Sequence, residues 1–183
     1  MNLNKTIETR QSIRKYKDKK PNWRAIIEAV DMARHAPMAG GQFSMKFIIV
    51  DDEKKINSIA TSSQQDFISQ AKYLIIACTN SSRTINEFGK DGEKYCHQQA
   101  GAAIQNILLK LNERGLSSCW VGYFIEKDVK SILKIPEKTN IEAIIPVGYA
   151  NEKKRIKRIE LDNILYFNEF GKKKMREQTN VRA

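Results

Sequence analysis

Residues 73–78 read YLIIAC, an apolar run bounded by Lys72 and by Thr79-Asn80. It is too short to cross a membrane and lacks the alternation of a half-wet strand, so it reads as a strand buried on both faces. Such a strand needs a packed layer on each side, and the rest of the chain must supply both.

Several segments suit that task. Residues 23–34, WRAIIEAVDMAR, space their apolar side chains three and four apart and predict an amphipathic helix, with Pro21 near its first turn. HAPMAGGQ breaks it with one Pro and two Gly. MKFIIV (45–50) predicts a strand, ended by Asp51-Asp52, with a helix following over 53–61. QQAGAAIQNILLKLNER (98–114) is the strongest helical pattern; Ile104, Ile107, Leu108 and Leu111 share one face and Gly115 supplies the cap. Its small stretch Gly101-Ala102-Ala103 predicts a close neighbour, most simply another helix.

SCWVGYF (118–124) predicts a short strand or extended segment, 126–133 a short helix before Pro136, and EAIIPVGY (142–149) a further strand. Pro146 cannot donate to a central ladder, so this strand is expected at an edge or with a bulge. Residues 80–95, NSSRTINEFGKDGEKY, are polar and Gly-containing and are expected to form a long loop or lid with room for a short helical turn. Residues 161–169 are expected to form a last helix or an extended arm. No internal repeat or linker is visible. The fold class is α+β in three layers, a mixed central sheet with helices on both faces.

At 183 residues the chain is one domain or one protomer of a dimer, long enough to bury a core. Its 41% hydrophobic and 29% charged residues are a globular profile. No apolar run reaches membrane-spanning length, and MNLNKTIETR lacks the apolar centre of a signal peptide, so a soluble cytoplasmic protein is expected. Cys78, Cys96 and Cys119 are odd in number and far apart, which predicts three buried or half-buried thiols rather than disulfides. The net charge of +11 permits nucleic-acid binding, with basic clusters at 17–20, 153–158 and 172–176. No helix-turn-helix, zinc-finger or RNP-type motif accompanies them, so nucleic acid is not the expected partner.

The usual catalytic signatures are missing. There is no GxxxxGK[ST] loop, no GxGxxG turn after a strand and no GxSxG elbow. His35 and His97 are the only histidines, and neither is tied by a motif to a nucleophile. What stands out is RQSIR, which crowds Arg10, Ser12 and Arg14 into five residues just ahead of the first strong helix. Anion-gripping side chains with few reactive ones are the profile of a protein whose cofactor carries the chemistry.

The order of segments adds to this. ETRQSIRKYKD, then a helix, then APMAGGQFSMKF, then QQAGAAIQNILLKLNERGLSSCWVG, then IIPVGYANEKKRIKRIELDNILYFNEFG together resemble the nitroreductase family of FMN-dependent oxidoreductases over nearly the whole chain. The family opens R-R-S-[IV]-R-x-[FY]; here Gln11 replaces the second Arg.

The resemblance implies a set of roles. Arg10 and Ser12 would hold the FMN phosphate and ribityl chain, Gln11 contributing less than the usual Arg. Arg14 would set a positive charge beside the pyrimidine edge. Val121-Gly122 would lay main-chain N–H against the flavin's reactive nitrogen. Arg158 would be a late phosphate ligand whose planar fork suits a dianion. Where the family shows A-P-S-x-x-N-x-Q-P-W-[RK]-F, its Asn falls on Gly41, its Gln on Phe43 and its Pro-Trp on Ser44-Met45, while Lys46 keeps a base. A side-chain contact is therefore lost at Gly41, though its backbone can approach closely. Trp120 reads as a core aromatic.

The resemblance also implies a homodimer with FMN at the interface and residues 160–183 as an exchanged arm, whose Ile164, Leu165, Phe167 and Phe170 need cover. The implied reaction is ping-pong hydride transfer from NAD(P)H to FMN and then to a nitroaromatic, quinone or related acceptor. Phe88 or Tyr95 of the expected lid would stack on that acceptor. The rival readings are a flavoenzyme of this fold with another reaction, such as dehalogenation or flavin breakdown, and a non-enzymatic flavin or nucleic-acid binder.

Overall fold

The computed structural model describes residues 2–153 and 157–175. Its centre is a four-stranded sheet of order β1-β2-β4-β3, where β1 is Met45–Val50, β2 Tyr73–Thr79, β3 Ser117–Ser118 and β4 Asn140–Gly148. Six helices complete it: α1 Leu3–Thr9, α2 Trp23–Asp31, α3 Glu53–Ser62, α4 Ser82–Phe88, α5 Asp91–Glu113 and α6 Glu126–Leu133.

YLIIAC becomes β2, buried at every residue. Its alternation sorts the core into two layers. Tyr73, Ile75 and Ala77 face Ile26 and Ala29 of α2 and Ala103, Ile104, Ile107 and Leu111 of α5. Leu74, Ile76 and Cys78 face Ile56 and Ile59 of α3 and Val129 of α6. Each aliphatic side chain sealed in this way contributes about 2 kcal/mol from apolar burial. The α+β class, the three layers and the helices on both faces are as expected. The strands themselves all pair antiparallel, and the sheet's mixed character shrinks to one parallel bridge, Ser12 with Ser118.

Local chemistry sets several boundaries. Asn22 caps α2 by accepting from Arg24 N at 3.0 Å, and Asp52 caps α3 by accepting from Lys55 N at 3.0 Å. The carboxy-terminal end of α5 closes at Gly115, whose φ of +71° favours glycine, with Leu116 N bonding Leu111 O at 2.9 Å.

Two expectations need correction and two are narrowed. Residues 80–95 are not a loop: they hold α4 and the first turn of α5, because Gly89 breaks the helix only briefly. Residues 32–34, expected as the end of the first helix, belong instead to a separate 3-10 turn, Met32–His35. At the small stretch 101–103 the expected neighbouring helix is α2, whose Ile26 and Ala29 share the core layer with Ala103, while a Cβ placed on Gly101 itself would meet nothing within 4 Å. Finally, of the two alternatives for β4 the edge falls and the bulge holds: β2 and β3 flank it, and its pairing with β2 shifts register between Ala77 and Cys78.

The ladder shows how Pro146 is tolerated in β4. Ser118 pairs with Val147, and Val121 exchanges both backbone bonds with Ile144 at 3.0 Å. That register sets Pro146 opposite Cys119, where its missing N–H coincides with the interruption between the two pairings. A bulge is present too, but at the other end, where Cys78 pairs Ile141 and Ala77 pairs Ala143. All three cysteines are free and buried.

Candidate functional site

The RQSIR segment is sewn to the sheet by its own backbone. Ile13, 1% exposed, donates its N–H to Ser118 O at 3.0 Å, and Lys17 N bonds Tyr149 O at 2.8 Å. Tyr16 is buried, and its hydroxyl reaches Ile13 O at 2.8 Å and Pro146 O at 3.2 Å. Ile13 and Tyr16 point inward, which turns Arg14 outward and leaves Arg10 half-buried.

Arg158 comes to the same place from the far end of the chain. Its Nη2 donates to the main-chain oxygen of Arg10 at 3.1 Å. The Arg10 guanidinium is held below its usual range, first by burial and then by the positive charge of Arg158. Two guanidinium groups held against their mutual repulsion make a receptor for an anion that carries more than one charge.

Gln11 carries a buried side-chain Oε1 with no hydrogen-bond partner. A buried acceptor left without a partner, one residue along from Arg10, suits a ligand that bears hydroxyls near its phosphate. Ser12 bridges Ser118 in the same strip. Arg14 stands slightly apart: its N–H bonds Glu152 Oε1 at 2.6 Å, and its guanidinium lies over the Phe67 ring, 5.9 Å from the centroid.

The sheet register decides which main-chain N–H of the Val121-Gly122 segment is available. The Val121 N–H is already committed to Ile144 O, so Val121 cannot donate to a ligand. The neighbouring Gly122 makes no hydrogen bond among the described residues, and a Cβ placed on it would meet open space. Among the described residues Gly122 therefore keeps an unengaged main-chain N–H. Trp120, beside this segment, is not a core residue; it is 39% exposed.

Gly41 is not brought to this cluster. It lines a separate cavity of about 830 Å³ with Gly40, Phe43, Lys46, Asn80 and Arg83 among its walls. Gln99 builds this wall: its Oε1 accepts from Ser44 N at 2.9 Å and its Nε2 donates to Gln42 O at 3.1 Å. Phe88 and Tyr95, expected to stack on an acceptor, instead pack on each other edge to face at 5.4 Å. Nothing in the sequence pattern marks Asn80, which follows β2 and donates its N–H to Ser44 O at 2.9 Å, or Arg83, which is carried by α4.

The KKRIKR run lies partly outside the described residues, at 154–156, as do positions 176–183 of the expected arm. From 160 to 175 the chain forms one short 3-10 turn, Leu161–Asn163, and otherwise extended or turn structure. Ile164 and Phe170 are 58% and 93% exposed within the chain.

Comparison with known proteins gives this geometry a family. The nitroreductase family model matches residues 7–65 and 57–149. The chain belongs to the nitroreductase family. A Methanothermobacter thermautotrophicus protein assigned provisionally as an NADH dehydrogenase/NAD(P)H nitroreductase is 29% identical over 160 residues, covering 83% of this chain and 79% of its own. An iodotyrosine deiodinase of Thermotoga neapolitana is 24% identical over 161 residues, 79% of this chain and 87% of its own. Among solved structures, an FMN-dependent nitroreductase from Clostridium difficile superposes with a TM-score of 0.80 at 25% identity, covering 92% of this chain and 100% of the other. The nitroreductase fold and oxidoreductase class of this chain follow from these matches. Among the described residues no helix is long and apolar enough to cross a membrane.

Proposed function

We propose that this nitroreductase-family chain is an FMN-dependent NAD(P)H oxidoreductase that reduces nitroaromatic, quinone or related acceptors. The observation that carries the reading is the pairing of Arg10 with Arg158 beside the unpartnered Gln11 Oε1. These residues fit a flavin mononucleotide. Arg10 and Arg158 would take its phosphate, while Gln11 Oε1 and the Ser12 hydroxyl would take the hydroxylated chain. Arg14 would contribute positive charge and the Gly122 N–H a main-chain donor. The bound flavin would supply the two-electron redox chemistry, in alternating half-reactions with NAD(P)H and the acceptor. The chain's own part is binding, orientation and exclusion of water.

The separation of Gly41 from the arginine cluster supports a homodimer. A two-fold dimer would bring the Gly41 cavity of one protomer to the arginine cluster of the other. The uncovered Ile164 and Phe170 would find their surface there. Three buried free thiols suit a reducing, cytoplasmic setting.

The test is an absorption spectrum of the purified, dialysed protein, identification of any released chromophore, and NADH and NADPH oxidation with and without a nitroaromatic. One FMN per chain with acceptor-dependent oxidation of either nucleotide supports the reading. A colourless protein that refuses added FMN overturns it. The deiodinase relative favours a second reading, reductive dehalogenation. Halide release from a halophenol faster than reduction of a nitroaromatic would select it.

A further inference from the structure

We infer that the cavity lined by Phe43, Lys46 and Arg83 is a receptor for a planar aromatic molecule bearing a carboxylate, and that Lys46 and Arg83 set this preference. The proposal rests on the functional reading above only in taking that molecule to be the enzyme's acceptor; the binding itself does not need it.

The cavity's walls carry the argument. Its volume of about 830 Å³ is ample for a substituted aromatic ring. Lys46 comes from the first turn of β1 and Arg83 from α4, two elements separate in the chain. No carboxylate lines the cavity. The adjacent Glu87 accepts from the Gln42 side chain. Among the described residues neither the Lys46 ammonium nor the Arg83 guanidinium takes an ion pair or a hydrogen bond. This contrasts with Lys20, Arg34, Lys72, Lys110 and Arg114, each of which sits on a carboxylate.

Two uncompensated cations facing one concave space select an anion, and a guanidinium suits a carboxylate's paired oxygens. Phe43, 38% exposed on the same wall, gives a ring face for stacking. Asn80 and Ser82 add neutral polar groups that fix orientation. The net charge of +11 draws anions toward the site at low salt.

The experiment is calorimetric titration of the full chain, as purified, with 4-nitrobenzoate and with its neutral isostere 4-nitrobenzamide. The wild-type protein should bind the carboxylate about tenfold tighter in dilute buffer, and this ratio should shrink as salt screens the pair. In the double variant Lys46→Gln/Arg83→Gln the ratio should fall close to one. Each single variant should fall between, which keeps the test informative if the double variant folds poorly. A wild-type protein without preference, or a double variant that keeps it, overturns the proposal. The same pair assayed as electron acceptors separates the two readings. Selective binding without NAD(P)H oxidation sinks the oxidoreductase and leaves the receptor standing. Turnover of both compounds without selectivity does the reverse.

Discussion

The Arg158 guanidinium bonds the main-chain carbonyl of Arg10 at 3.1 Å, bringing two like charges from opposite ends of the chain into one small volume. Burial and the charge of Arg158 both hold the Arg10 guanidinium below its ordinary range. An arrangement that costs electrostatic energy in the free chain is relieved when an anion binds.

Replacing both, Arg10→Ala with Arg158→Ala, should therefore weaken FMN retention by at least ~100-fold, since charge-assisted bonds contribute about 1.5–3 kcal/mol each. Flavin absorbance per chain after dialysis reads this loss. The melting temperature of the flavin-free protein should change little, because neither guanidinium sits in the apolar core.

Gly148 tests how the segment is held. A Cβ there would stand 2.8 Å from Tyr16 Cδ1. Gly148→Ala should push Tyr16 off Ile13 and Pro146 and cost about 2 kcal/mol, the usual range for overpacking. Chemical denaturation measures that cost, and flavin content should fall with it because Tyr16 anchors RQSIR. A loss of stability with full flavin content would show that the anchor is dispensable for binding.

Gly92 is the stronger packing constraint. A Cβ there would meet the backbone of α4, at 2.5 Å from Thr84 O and 2.6 Å from Ile85 N, and backbone cannot swing aside. Gly92→Ala should cost about 3 kcal/mol and splay α4 from α5. Since Arg83 rides on α4, the same variant should weaken 4-nitrobenzoate binding. Denaturant midpoints and calorimetry check the two effects.

Cys78 gives a pH dependence. Burial, then the charges of Glu126 and Glu142, push its thiol up from 9.0 to about 11. Below pH 9 the thiol is neutral both folded and unfolded, so stability does not respond. Between about 9 and about 11 the unfolded chain releases the proton while the folded chain keeps it, so stability falls as pH rises. Cys78→Ala should flatten that alkaline slope in denaturation curves. In the native protein Cys78 should resist alkylation at pH 8, as mass spectrometry of iodoacetamide-treated samples would record.

The exposed arm offers a test of assembly. Ile164→Glu with Phe170→Glu should move the protein toward the monomer in sedimentation velocity and lower flavin content in parallel. A protein that stays dimeric with both charges in place would detach the arm from the interface.

Much was written in local pattern. YLIIAC has no polar residue to show to water, so it had to be sandwiched, and two helical layers follow from that. The strand Met45–Val50 and the helix Glu126–Leu133 lie where hydrophobic period and turn residues put them. RQSIR announced anion chemistry through residue type alone. Other features were settled only by the folded chain. The 80–95 segment reads as polar loop, yet α4 forms because Cys96 and Thr84 pack between it and α5, with Cys96 Sγ 3.3 Å from Thr84 Oγ1. Pro146 sits in an interior strand because the sheet register aligns its missing donor with a gap. The same register engages the Val121 N–H with Ile144 and leaves that of Gly122 unengaged among the described residues. Lys46 and Arg83 share a cavity although nothing in their sequence spacing links them. Composition and periodicity act between near neighbours in the chain; hydrogen-bond register and charge proximity depend on distances that exist only after the sheet has closed.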